Sequence, residues 1–249
     1  MILVDTHAHV NFNAYKSDAD EVIRRSLDND TWLINVGSQY ATSEKAVDLA
    51  EKYQEGVYAA IGLHPIHARD GLSYEKFKQL AQSSGVKAIG EVGLDYKEEY
   101  VSFKEKQKEL FLEQLDLAKE LNLPVIFHCR MAHDDLIEII KKNREQLRGV
   151  VHCFTGNWKQ AEQYLAAGLY LGFNGIIFKL ELDDIIKKAP LERILIETDC
   201  PYLTPPPQKG RNEPVYVKYV AEKIAKLKKL TFEETIQITA ENAKHLFSL

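Results

Sequence analysis

Cysteine is scarce: Cys129, Cys153 and Cys200 are the only three in 249 residues, an odd number without the paired spacing of a zinc knuckle. A disulfide framework is therefore not what organises this chain. No apolar run reaches the roughly 18 residues a transmembrane helix needs. The opening Met-Ile-Leu-Val-Asp-Thr-His has no basic segment ahead of an apolar run too short for a signal peptide, so the cytoplasm is the expected compartment. Positive charge is also in deficit, with 32 Lys and Arg against 37 Asp and Glu and a net charge of -5. Broad electrostatic capture of nucleic acid needs a basic face, so any phosphate binding here must be local, and bound divalent metals are a source of the missing positive charge.

What is present is 45% hydrophobic and 28% charged sequence, enough to fill a sizeable core. Short apolar, β-branched runs fall at 2–7, 32–36, 57–62, 86–91, 124–128, 149–153, 169–173 and 194–199, which makes eight. Amphipathic stretches lie between them at 18–27, 43–53, 104–121, 134–147 and 159–167. A Pro-rich loop, 204–214, precedes helical patterning at 215–228 and 232–247, and no linker marks off a second domain. The alternation predicts an α/β fold, a single-domain (β/α)8 TIM barrel over 1–249 with extra C-terminal helices. A doubly wound open sheet predicts the same alternation, and the location of the polar residues decides against it.

The first run ends in Asp5-Thr6-His7-Ala8-His9. Alternate side chains of a strand share a face, so His7 and His9 can converge on one ion. Glu91 ends the fourth run, His128 the fifth, His152 stands at the end of the sixth and Asp199 ends the eighth. In a barrel those C-terminal ends form the mouth, where active sites lie. Four imidazoles and two carboxylates on one rim are too many for one tetrahedral ion and suit two, with Glu91 as the natural bridging ligand. Singly, each residue reads as a hydrogen-bonded core histidine or a solvated carboxylate; together, one shared metal site explains all six.

The motifs resemble those of the TatD family of metal-dependent deoxyribonucleases, within the wider amidohydrolase-like barrels. The resemblance is carried by Asp5-Thr6-His7-Ala8-His9, Gly62-Leu63-His64-Pro65, Gly90-Glu91-Val92-Gly93-Leu94-Asp95-Tyr96, His128-Cys129-Arg130, His152-Cys153-Phe154-Thr155-Gly156, Glu197-Thr198-Asp199-Cys200-Pro201-Tyr202-Leu203 and Arg211-Asn212-Glu213-Pro214. It implies an exonuclease-type hydrolase that cleaves phosphodiester bonds with a metal-activated water, acting on DNA as single strands or frayed ends, with no membrane or obligate protein partner. It further implies that His7, His9, Glu91 and Asp199 hold one divalent ion, and Glu91, His128 and His152 a second. Magnesium is the family's usual ion, whereas four imidazoles favour zinc, manganese or iron by ligand softness, which leaves the choice open. The loop 205–210 ahead of Arg211 departs from the pattern by being shorter and less basic.

Asp199 is positioned to accept a proton and, with Glu91, forms the candidate catalytic pair. Arg130 shares the strand parity of His128 and either grips a phosphate or makes a structural salt bridge. Lys209 and Arg211 lie in the loop after the eighth strand, where barrels often bind phosphate, or in a solvated turn. The resemblance places His64 on the substrate side. His67, His133 and His245 read as surface histidines. Each cysteine directly follows a proposed ligand, so strand alternation turns it toward the helices as a small hydrophobe. Asp5 and Glu197 share the inward parity and lie deeper, as supports for the ligands or as structural hydrogen-bonding groups.

Two rivals remain. Barrel hydrolases acting on amides, lactones or phosphotriesters often bridge their metals with a carboxylated lysine at the fourth strand's end; here that position is Glu91, and Lys87 stands at the strand's start. Cleavage of an ester such as aminoacyl-tRNA uses the same chemistry and is not separated by sequence. A nucleic-acid-binding protein without turnover would keep a closed site, against which the complete ligand set speaks.

Overall fold

The computed structural model of the protein describes residues 1–249 except Arg144 and Gln146. Strands β1 (Leu3–Ala8), β2 (Thr31–Val36), β3 (Val57–Ile61), β4 (Val86–Asp95), β5 (Val125–Arg130), β6 (Gly149–Val151), β7 (Tyr170–Phe173) and β8 (Ile194–Ile196) form one eight-stranded sheet in chain order. Every neighbouring pair is parallel. Helices α1 (Ala19–Leu27), α2 (Tyr40–Glu51), α3 (Tyr74–Leu80), α4 (Lys104–Glu120), α5 (His133–Lys142), α6 (Trp158–Ala166) and α7 (Asp183–Lys188) connect them, followed by α8 (Val217–Lys228) and α9 (Phe232–Phe247). The expected TIM barrel is the observed fold.

Closure falls where β8 has already ended. Ala8 bridges Cys200 in parallel, the Asp199 N–H donates to the His7 carbonyl at 2.8 Å, and the His9 N–H donates to the Cys200 carbonyl at 3.0 Å. Asp5 strengthens this seam: its buried carboxylate accepts from the Thr198 N–H at 2.8 Å and the Thr198 hydroxyl at 2.5 Å. Asp5 thus clamps backbone rather than touching a ligand imidazole ring.

Strand alternation sorts the core into two layers. Outward residues such as Leu33, Ile61 and Phe127 are fully buried beneath the helices, each burial contributing roughly 1.5–3 kcal/mol. Inward, each strand supplies a small or aliphatic residue or, in β7, Tyr170; Val4, Ala88 and Leu195 are examples, and they pack with Ala240, Ala243, Leu246 and Phe247 of α9. Helix α9 therefore stops the end of the barrel opposite the mouth. Its first turn is set by Thr231, whose hydroxyl accepts from the Glu234 N–H at 3.1 Å while the Glu234 carboxylate accepts from the Thr231 N–H at 2.8 Å.

Element ends differ from expectation in physically traceable ways. Strand β4 runs on to Asp95, because pairing with β5 resumes beyond a register shift between Gly90 and Val92. Helix α2 starts at Tyr40, where the Thr42 hydroxyl accepts from the N–H groups of Ser38 at 2.9 Å and Gln39 at 3.0 Å. Helices α3 and α7 span only seven and six residues, too short for a periodic pattern to declare them. Helix α5 occupies His133–Lys142 of the expected 134–147, and positions 144 and 146 lie outside the described residues.

Candidate metal centre

Six side chains gather at the mouth from strand ends. His7 and Glu91 each sit at a break in parallel register, the first between Asp5 and Ala8, the second between Gly90 and Val92. Such irregularities free a residue from the ladder and re-aim its side chain. Gly93 keeps the neighbouring space open, since a Cβ there would stand 2.1 Å from the His128 carbonyl oxygen. Asp199 has left the strand altogether, with φ at 57°, a left-handed backbone that costs a non-glycine residue and is held by the closing hydrogen bonds.

Glu91 is the centre of the group. Its Oε2 faces His7 Nε2 at 3.5 Å; its Oε1 faces His128 Nδ1 at 2.5 Å, His64 Nε2 at 3.5 Å and His152 Nε2 at 3.7 Å. Asp199 Oδ1 lies 3.4 Å from His9 Nε2, 3.8 Å from His152 Nε2 and 3.9 Å from His7 Nε2. The two carboxylates thus stand on either side of His7 and His152, whose rings stack at 3.5 Å.

The outer nitrogens settle which lone pairs face inward. His9 Nδ1 lies 2.8 Å from the Val36 carbonyl, which only accepts, so the proton is on Nδ1 and Nε2 is free toward the site. His152 Nδ1 is 2.8 Å from Glu197 Oε1, and His128 Nε2 is 3.1 Å from Asp95 Oδ2. The His152–Glu197 contact is close but off the best hydrogen-bond alignment, and His7 Nδ1 is buried with no hydrogen-bond partner among the described residues. Carboxylates and carbonyls behind imidazoles fix ring orientation and raise basicity, the arrangement found around metal-binding histidines.

Electrostatics follow from this packing. Burial opposes ionisation of Glu91, but the surrounding imidazoles of His64, His128 and His152 hold its carboxyl well below the usual carboxylate range. Asp199 is likewise lowered against its burial, through His9, His152 and His7. Burial would lower His128 and His152, yet the carboxylates beside them prevail and raise these groups to about 9 and about 10. Burial and the nearby His128 push His64 down to about 4. Its Nδ1 accepts the Ile66 N–H at 3.2 Å, so neutral His64 carries its hydrogen on Nε2.

These residues fit divalent cations. His7 Nε2 and His9 Nε2 approach to 3.1 Å, with ionised carboxylate oxygens around them, and the ligand atoms of His7, His9 and Glu91 lie within 4.8 Å of one another. Nitrogen and oxygen donors packed so closely are stabilised by a cation between them. Residues 4–248 match the family model described as TatD related DNase.

The chain belongs to the TatD family.

It is 45% identical over 256 residues to the uncharacterized metal-dependent hydrolase YabD of Bacillus subtilis, covering 100% of both chains. It is 34% identical over 261 residues to the 3′-5′ ssDNA/RNA exonuclease TatD of Erwinia tasmaniensis, covering 99% of this chain and 100% of that one. Among solved structures, YJJV, a TatD homolog from Escherichia coli, superposes with a TM-score of 0.92 at 32% identity, over 99% of this chain and 98% of that one. As a TatD-family protein, this chain is a metal-dependent hydrolase.

Around this TatD centre the other candidate residues separate. His64 joins the cluster itself. Arg130 is exposed on the wall of a mouth cavity of about 750 Å³ and makes no salt bridge among the described residues. Arg211 pairs with Asp18, donates to the Ala14 carbonyl at 2.7 Å and covers the Tyr15 ring, and it does not line the cavity. Lys209 is exposed in its loop and does not line the cavity either. Lys87 reaches the Ser248 carbonyl at 3.4 Å, at the stoppered end, far from any bridging role.

Three further expectations change. Cys129 and Cys200 are buried as expected, but Cys153, with φ at 46°, turns its thiol to the mouth beside His152 and Asp199. His133 is half-buried, its Nδ1 3.2 Å from Cys129 Sγ and 3.0 Å from the Tyr164 hydroxyl, and His67 lines the cavity next to its partner Asp70. Asp95 was given no role by the sequence, although Glu91, Gly93 and Asp95 share one face of a strand that continues past Glu91. Asn174, which donates to Glu197 Oε1 at 3.0 Å, carried no such signal.

Proposed function

We propose that this protein is a nuclease that removes nucleotides from the 3′ end of single-stranded nucleic acid, using two divalent ions that share Glu91. The observation carrying this reading is the division of the Glu91 carboxylate between His7 on one oxygen and His128, His64 and His152 on the other. In this reading His7, His9, Glu91 and Asp199 hold one ion, and Glu91, His128 and His152 the second. The imidazole-rich set favours zinc, manganese or iron over magnesium. Bound ions would polarise a phosphoryl oxygen and make water a stronger acid.

The chain's own groups have distinct tasks. Asp199, held ionised, accepts a proton at its carboxylate. Neutral His64 donates through Nε2–H to an oxygen of the substrate. Arg130 offers a planar fork to the phosphate. Glu197 and Asp95 keep His152 and His128 oriented. The exonuclease name of the Erwinia tasmaniensis relative supports the substrate and polarity. No helix among the described residues is long and apolar enough to cross a membrane, and three free thiols suit the reducing cytoplasm we assign.

The test is release of mononucleotides from 3′-labelled DNA and RNA, single-stranded and duplex, and of amino acid from charged tRNA, across a panel of Mg, Mn, Zn and Fe. We expect release from single strands, and a loss of about 10²–10⁴-fold in Asp199→Asn with the circular dichroism spectrum retained. Wild-type turnover in Asp199→Asn would refute the assignment.

A further inference from the structure

Above the charged floor of the mouth, the wall is apolar in an unusual way. Seven large hydrophobic side chains are exposed among the described residues, and three of them, Met131 at 76%, Tyr202 at 56% and Leu180 at 44%, line this one cavity. They come from the segments following β5, β7 and β8, so they surround the entrance rather than forming one stripe. The backbone beneath them is strained as well. Eight non-glycine residues among those described have positive φ, and four of these, Met131, Cys153, Asp199 and Leu203, line the same cavity. A methionine held in a left-handed turn and left in water is unfavourable twice over. The Tyr202 hydroxyl makes no hydrogen bond among the described residues, which leaves it free toward the cavity.

We propose that the Tyr202 ring stacks the unpaired base of the substrate's terminal nucleotide, with Met131 and Leu180 as apolar walls on the other sides of the entrance. This rests on the nuclease reading above and adds the part of the nucleotide that the acidic floor does not hold. The floor, once it holds its cations, and Arg130 suit the anionic phosphate; the collar suits a flat apolar ring joined to it. A paired terminal base has one face covered by the stack and its edge held by the partner strand, so it must unpair before it can seat within the collar, and the collar favours single strands. Stacking on an aromatic ring is tolerant of base identity, so little sequence preference is expected.

The test uses single-stranded DNA ending in either a natural 3′ nucleotide or an abasic 3′ nucleotide. Wild type is expected to prefer the natural end by about 10-fold in kcat/KM, mostly through KM. Tyr202→Ala should collapse that preference toward one, Tyr202→Phe should restore it, and Met131→Ser with Leu180→Ser should reduce it; circular dichroism reports the fold of each. A wild-type preference persisting in Tyr202→Ala and in the double variant overturns the stacking role while leaving the nuclease reading intact. No release from either substrate by the metal-loaded wild type overturns both.

Discussion

At the scale of single residues, a metal ligand depends on what stands behind it. Asp95 holds the outer nitrogen of His128 at 3.1 Å, and losing that charge frees the ring and lowers its basicity. Asp95→Asn should therefore weaken metal binding by about 10–100-fold, read by competition against a chromophoric chelator. Binding as tight as wild type would show that Asp95 is only structural. That His7, His9, Glu91, His128 and His152 gather at the mouth was legible because each stands at the C-terminal end of an apolar run, and a closed barrel brings those ends together. Cys153 was not, because a positive φ at the strand's end reverses which way the side chain turns. The Arg211–Asp18 pair was not legible, because its partners stand 193 residues apart in sequence.

At the scale of elements, α9 is the part whose job the sequence concealed. Its buried Ile236, Ala240, Ala243 and Phe247 follow helical spacing, which predicts an apolar face but not the barrel floor it covers. Phe247 is 1% exposed within that floor. Phe247→Ala should cost about 3–5 kcal/mol, seen as a lower denaturant midpoint, while metal content at saturation holds. A variant within about 0.5 kcal/mol of wild type would mean that α9 packs more loosely than its burial indicates. The eight strands were legible from their apolar runs, whereas the end of β4 was hidden by the register shift that presents Glu91.

At the scale of the whole molecule, charge and metal are linked. A protein with a net charge of -5 attracts phosphate only where cations are concentrated, and the proposed ions would concentrate them at the mouth. In the metal-free protein the carboxylates raise His128 to about 9 and His152 to about 10, so both are protonated at pH 7. These raised values stabilise the metal-free fold fully below the ordinary histidine value of about 6.5, and that contribution is lost as pH rises through 9 to 10. Metal ligation requires the deprotonated rings, so loading at pH 7 should release about two protons, and affinity should climb with pH toward 9 to 10. Calorimetry in buffers of different ionisation enthalpy measures this directly. Proton-neutral loading at pH 7 would contradict the assignment of both rings as ligands.

The central claim is that Glu91 is shared between two ions. It is tested by elemental analysis of chelator-stripped protein reloaded with manganese or zinc and freed of excess ion. Two ions per chain are expected in the wild type and at most one in Glu91→Gln. A single ion in the wild type, or two retained in Glu91→Gln, would contradict it.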